Sequence, residues 1–322
     1  MSQKLQALKP DTVLKNYWRS NERFADFFNT VLFKGQQVIK PDELMDIDTE
    51  ESSILEHKKY AEAIEASRDN IKIRKKSSET GIEFVMLGKE SQKHIHYAMP
   101  LRVMGYDYGT YKKQYDDNAA KYTSSHGMDA DEYLSRMKRT DRFSPVVTVV
   151  VYYSENPWDG ATTLHEMLRI PEEFAAYVND YRMLLVEARK NNFVFHNIDN
   201  IDFFNLMEII LDRQLSKNEA RKKAIQYSEE HQTGKSVVMA VAGATDSKID
   251  YQAFEKGDGH MCTLFEEIAK ESESKGRAEE IIDLGFEFGL SEDDILNRLQ
   301  KKLDVPFQKA QEYLNMFKKQ TI

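Results

Sequence analysis

The run Pro145-Val146-Val147-Thr148-Val149-Val150-Val151-Tyr152-Tyr153 constrains the fold of this chain more than any other stretch. β-Branched and aromatic residues fill both alternating sets of positions, so a strand here is apolar on both faces. Such a strand belongs in the middle of a sheet that is covered on both sides. The segment Tyr181-Arg182-Met183-Leu184-Leu185-Val186 reads as one more strand. With two runs upstream, this predicts an α/β core of about four or five strands flanked by helices.

The upstream runs are Asp69-Asn70-Ile71-Lys72-Ile73-Arg74 and Ile82-Glu83-Phe84-Val85-Met86-Leu87-Gly88-Lys89-Glu90, separated by turn-forming residues that include Gly81. Alternation places Asp69, Ile71 and Ile73 on one face of the first run, and Phe84, Met86, Glu90 and Gln92 on one face of the second. A hairpin folded about Glu79 and Thr80 sets Asp69 opposite Glu90, with Cβ atoms roughly 5 Å apart. Two carboxylates that close repel unless a cation lies between them, and hard oxygen ligands with room for water suit Mg²⁺ or Mn²⁺. An exposed Asp at a strand start and a Glu at a strand end is the alternative reading.

Ser20 is placed to cap a helix carrying Phe24, Phe27, Phe28, Val31 and Leu32 at three- and four-residue spacing, with Gly35 ending it. Asp26 lies beside that apolar stripe, either as a solvated acid or as a third acidic group aimed at the metal site. Residues 36–60 read as a surface connection with a short helix, containing Pro41 and the acidic run DIDTEE. Pro100 opens a helix on which Leu101, Met104, Tyr108, Tyr111 and Tyr115 form a stripe expected to pack in the core. His94 and His96 lack the ligand spacing of a zinc site. Residues 118–142 read as an inserted helix. Trp158 and Gly160 mark a tight connection, and Glu166 and His165 read as a helix-start acid and a packing histidine rather than a catalytic pair.

From about residue 195 the chain turns helical, with Gly234 and Gly243 as breaks, which divides it into 1–192 and a helical region 193–322. Apolar positions Leu264, Ile268, Ile281, Ile282, Phe286 and Phe288 punctuate a charged helix. Ser291 caps the next helix, and Asp304 caps the last, with Pro306 in its first turn. Such a helical ending caps the core, pairs with a second copy in a homodimer, or touches DNA.

No run of about 18 apolar residues exists to span a membrane, and the first residues lack the apolar core of a signal peptide. The single cysteine, Cys262, permits no intrachain disulfide, which fits a reducing cytoplasm. The net charge of −9 argues against a DNA-coating surface but not against an enzyme whose acids bind metal.

Four blocks occur in order: NERFADFFNTVLFKGQQVIKPDEL, SRDNIKI, VMLGKESQKHIHYAMPLRVMGYD and TDRFSPVVTVVVYYSENPWDGATTLHEM. Together they resemble the recombination-promoting nuclease and transposase family of the PD-(D/E)XK superfamily, especially its clostridial branch. The resemblance implies a restriction-endonuclease-like core, a mixed sheet flanked by helices, and metal-dependent hydrolysis of DNA linked to recombination or mobile elements. Asp69 matches the motif aspartate and Glu90 the motif acid, the two implied metal ligands. Gln92 stands where the wider pattern has Lys, a departure usual in this family. A glutamine orients water and donates a hydrogen bond but supplies no positive charge. Asp26, or Glu22 one turn earlier, is the implied helix acid. A catalytically weak relative that binds DNA or a protein partner fits the same pattern.

Overall fold

The computed structural model describes residues 9–46, 70–74, 82–88, 95–122, 124, 127–190, 192–247 and 249–318. The chain divides into two compact units, Met1–Asp246 and Ser247–Ile322. The division expected at 192 therefore falls later. The reason is packing: α5 (Ile198–Ile210), α6 (Lys217–His231) and α7 (Lys235–Ala244) join α1 (Pro10–Trp18) and α2 (Asn21–Phe33) in one layer of the first unit.

A five-stranded mixed sheet forms the core of this unit, in the order β1 (Leu44–Asp46), β2 (Asn70–Arg74), β3 (Ile82–Gly88), β4 (Val146–Tyr152), β5 (Leu184–Glu187). β2 runs antiparallel to both β1 and β3, while β3, β4 and β5 are parallel to one another. The helix α3 (Met99–Ala119) makes the crossover from β3 to β4. As its sequence requires, β4 lies inside the sheet, with Val149, Val150, Val151 and Tyr152 buried. Val150 packs with Met99, Val103 and Tyr106 of α3. Beyond the strand, Tyr153 accepts a hydrogen bond from Trp18 Nε1 of α1 at 3.4 Å and meets Phe203 of α5.

The helix ends follow local chemistry. Ser20 Oγ accepts from Arg23 N at 3.3 Å to start α2, and Lys34 and Gly35 end it at φ 55° and 87°. Ser291 Oγ accepts from Asp294 N to start α10 (Glu292–Leu303). Asp304, expected to cap the last helix, instead closes α10 at φ 53°, and Pro306 precedes α11 (Phe307–Phe317) with no side-chain cap. The long α9 (Met261–Glu287) packs with these two around Ile282, Ile295, Leu299, Tyr313 and Leu314, while Phe288 is exposed. A short α8 (Tyr251–Lys256) opens this second unit.

Three further expectations change. Among the described residues of the stretch 118–142, α3 runs on to Ala119 and only the short α4 (Ala130–Ser135) follows as a further helix. The last strand begins at Leu184 rather than Tyr181, since Arg182 bridges back to Thr163. Most notably, the stripe Leu101, Met104, Tyr108 and Tyr111 faces outward, and Tyr97 extends it at 63 % exposure. The helix carries a second stripe, Met99, Val103, Tyr106 and Thr110, and that one meets the sheet.

Gly243 is not a break but lies within α7. A Cβ there would come within 2.7 Å of the Pro10 carbonyl oxygen, so the glycine lets α1 and α7 approach. Alanine favours a helix over glycine by about 1 kcal/mol, yet Gly243→Ala is expected to destabilise by about 2 kcal/mol because backbone must move. Thermal unfolding of the variant checks the sign.

Among the described residues, no helix is long and apolar enough to cross a membrane.

Candidate active site

The carboxyl ends of β3, β4 and β5 lie side by side, with Gly88 beside Val151 and Tyr152 beside Glu187. Asn70, the first residue of β2, pairs with Met86 near the end of β3, so β2 starts at this same edge. In the sequence Asp69 immediately precedes Asn70, and Glu90 and Gln92 follow Gly88. Asp69, Glu90 and Gln92 themselves lie outside the described residues, as do His94 and the DIDTEE run after Asp46, which ends β1. The register differs from the expected hairpin. Asp69 opposite Glu90 requires Asn70 opposite Lys89, whereas Asn70 pairs with Met86 and Arg74 with Ile82. Pairing in β3 is set on both sides, by β2 and by β4, and this outweighs the turn composition from which the fold-back was inferred.

Asp26 does not stand open to a ligand. It is 4 % exposed. Its Oδ1 accepts from His196 N at 2.9 Å and its Oδ2 from Asn200 Nδ2 at 2.9 Å. His196 Nδ1 lies 3.9 Å from Oδ1. Asn200 also donates to Arg23 O and accepts from the Tyr17 hydroxyl, so α1, α2 and the start of α5 are tied through one amide. Both carboxylate oxygens are thus engaged in joining helices. Glu22, the alternative helix acid, is exposed and accepts from Ser20 Oγ at 2.7 Å.

A second buried carboxylate, Asp107 of α3, accepts from Thr148 Oγ1 of β4 and from the Tyr181 hydroxyl ahead of β5. This network presses the inner stripe of α3 onto the sheet. Burial, and then the bond to Asp107, push the Tyr181 phenol well above its ordinary pKa. Glu166 accepts from the backbone N–H groups of Thr162 and Thr163, which hold it below the usual carboxylate range, and His165 Nε2 lies 2.8 Å from Val178 O. Those contacts close the 162–181 loop, in keeping with the structural roles expected for this pair. The Trp158 indole donates to Gly160 O at 2.7 Å, the anticipated tight connection.

The sequence reading missed one cluster. At the end of β5, Glu187 receives Arg189 Nε at 2.9 Å, Lys190 Nζ and the Trp158 backbone N–H. Burial raises its pKa, but the three donors outweigh that and leave it below the usual carboxylate range. Its oxygens are therefore held by cations rather than offered to a metal. The only sequence signal was a pair of basic residues directly after a strand, which is a common pattern.

Among the described residues, no group of three or more His, Cys, Asp or Glu side chains could hold a metal ion. Asp26 and Glu187 do not fit that role, because their oxygens are already engaged. The pair expected to hold a divalent ion, Asp69 and Glu90, lies outside the described residues. Two carboxylates with several waters is how Mg²⁺ is usually held. Compared with protein-family models, with curated proteins and with solved structures, the chain returns no match.

Proposed function

We propose that this chain is a metal-dependent DNA endonuclease with a PD-(D/E)XK core, the activity implied by its resemblance to the recombination-promoting nuclease and transposase family. One observation carries the reading. The start of β2 and the end of β3 reach the same edge of a mixed sheet, and in the sequence the motif acid Asp69 immediately precedes the first of these and Glu90 lies two residues after the second. Ligands of open α/β sheets bind beyond the carboxyl ends of the parallel strands, which is this edge. Asp69 and Glu90 would hold Mg²⁺ or Mn²⁺, which supplies an activated water and a polarised phosphate when bound. Gln92 would orient the water by hydrogen bonding. Asp26 enters as the residue that joins α2 to α5 behind the sheet, not as a ligand.

Nicking of supercoiled plasmid tests the proposal. Cleavage is expected with Mg²⁺ or Mn²⁺ and not with EDTA, and Asp69→Ala and Glu90→Ala each reduce it at least a hundredfold, the scale of losing a metal or its ligand shell. Failure of the parent protein to nick with either ion, while DNA binding persists in both variants, would sink the nuclease reading and leave a DNA-binding relative.

A further inference from the structure

Arg189 touches Glu187 through Nε alone. Its two terminal nitrogens have no partner among the described residues, although the side chain is only 24 % exposed. A guanidinium held by its Nε on a carboxylate that is itself 12 % exposed is oriented in advance, with its fork of N–H donors turned elsewhere. Lys190 stands beside it, 53 % exposed, on the other oxygen of the same carboxylate. Two cations share one anion, so the cluster keeps a net positive charge in a protein of net charge −9. An oriented fork with an adjacent ammonium is the arrangement that receives an oxyanion in bidentate fashion.

From this we infer that Arg189 and Lys190 form a phosphate-binding site for the DNA backbone at the end of β5. The inference rests on the nuclease reading, and it names what lies beside the reacting centre. β5 is two strands from β3, about 10 Å away across the sheet. DNA carries one charge per strand for about every 3.4 Å of its axis. A duplex whose scissile phosphate lies off the end of β3 therefore passes neighbouring phosphates over the end of β5. The site also supplies the positive charge that Gln92 lacks, by gripping the strand rather than by acting on the water. Glu187 is the positioning residue that aims both cations.

The test is binding of a labelled random-sequence duplex to the full-length chain in EDTA, followed by fluorescence anisotropy over a series of salt concentrations. Arg189→Gln with Lys190→Gln is expected to weaken binding about tenfold and to make the slope of log K against log salt shallower by about 1.8, two phosphate contacts. Arg189→Lys keeps the charge but loses the fork, so it should keep the slope and lose part of the affinity. Lys190→Gln alone, on a half-exposed side chain, should change the slope by about 0.9 and carries the test if the double variant does not fold. Lys222→Gln with Lys223→Gln on α6 is the control and should leave the slope unchanged. An unaltered slope in Arg189 and Lys190 variants that melt like the parent overturns the inference, as does an equal change from the control pair. If Asp69→Ala and Glu90→Ala abolish nicking while the Arg189 and Lys190 variants bind like the parent, this inference alone fails. A parent chain that neither binds nor cuts DNA removes both.

Discussion

Asp26→Ala is expected to lower the stability of the first unit by about 3 kcal/mol, the scale for removing one partner of a buried, charge-assisted network. The substitution leaves His196 N and Asn200 Nδ2 without their acceptor. It also loosens Asn200, which is fully buried and holds Tyr17 and Arg23 O as well. Asp26→Asn keeps the volume but turns an amide NH₂ toward one of two donors, and about 2 kcal/mol should be lost. Chemical denaturation without added metal measures both. Both tryptophans, Trp18 and Trp158, lie in the first unit, so their fluorescence reports that unit even if the second unfolds separately. A carboxylate kept for a metal would behave in the opposite way, with cleavage lost and stability unchanged. Wild-type stability in Asp26→Ala would therefore refute the joining role and return Asp26 to the candidate metal ligands.

The second large effect is expected at Phe204, which has no exposed surface. Its ring stacks on Phe195 at 4.6 Å between centroids and meets Phe203 at 5.2 Å and Phe27 at 6.0 Å. Those partners come from α2, from α5 and from the chain ahead of α5, so one side chain fastens the helical layer behind the sheet. Phe204→Ala should cost about 4 kcal/mol, combining lost transfer energy with the cavity left among rings that cannot collapse together. Phe204→Leu, which keeps most of the volume, should cost about 1.5 kcal/mol. The same denaturation experiment ranks the two. Equal losses would mean that ring geometry, not filled volume, is what matters there.

Much of the architecture is legible in short stretches of sequence. The nine-residue apolar run of β4 demanded an interior strand, and Ser20, Lys34–Gly35 and Ser291 mark helix ends through bonds within a few residues. Periodicity in α3 marks a helix but not the face it buries. Two stripes of similar apolar character run along it, and spacing alone cannot rank them. The choice is made by Asp107, whose partners Thr148 and Tyr181 are 41 and 74 residues away. The role of Asp26 was hidden for the same reason, since its acceptor oxygens meet residues 170 and 174 positions on.

By itself, then, the sequence determined that β4 is an interior strand, that α2 and α3 are helices, and which acids flank the β2–β3 pair. Those properties depend on side-chain alternation and capping, which act over a turn or a strand. Only the tertiary structure decided the register of β2 on β3, the outward face of α3, the close approach that requires Gly243, and the cationic pair held by Glu187 at the sheet edge. Each of these depends on which distant group satisfies a buried polar atom or fills a contact, and that is settled when the layers pack.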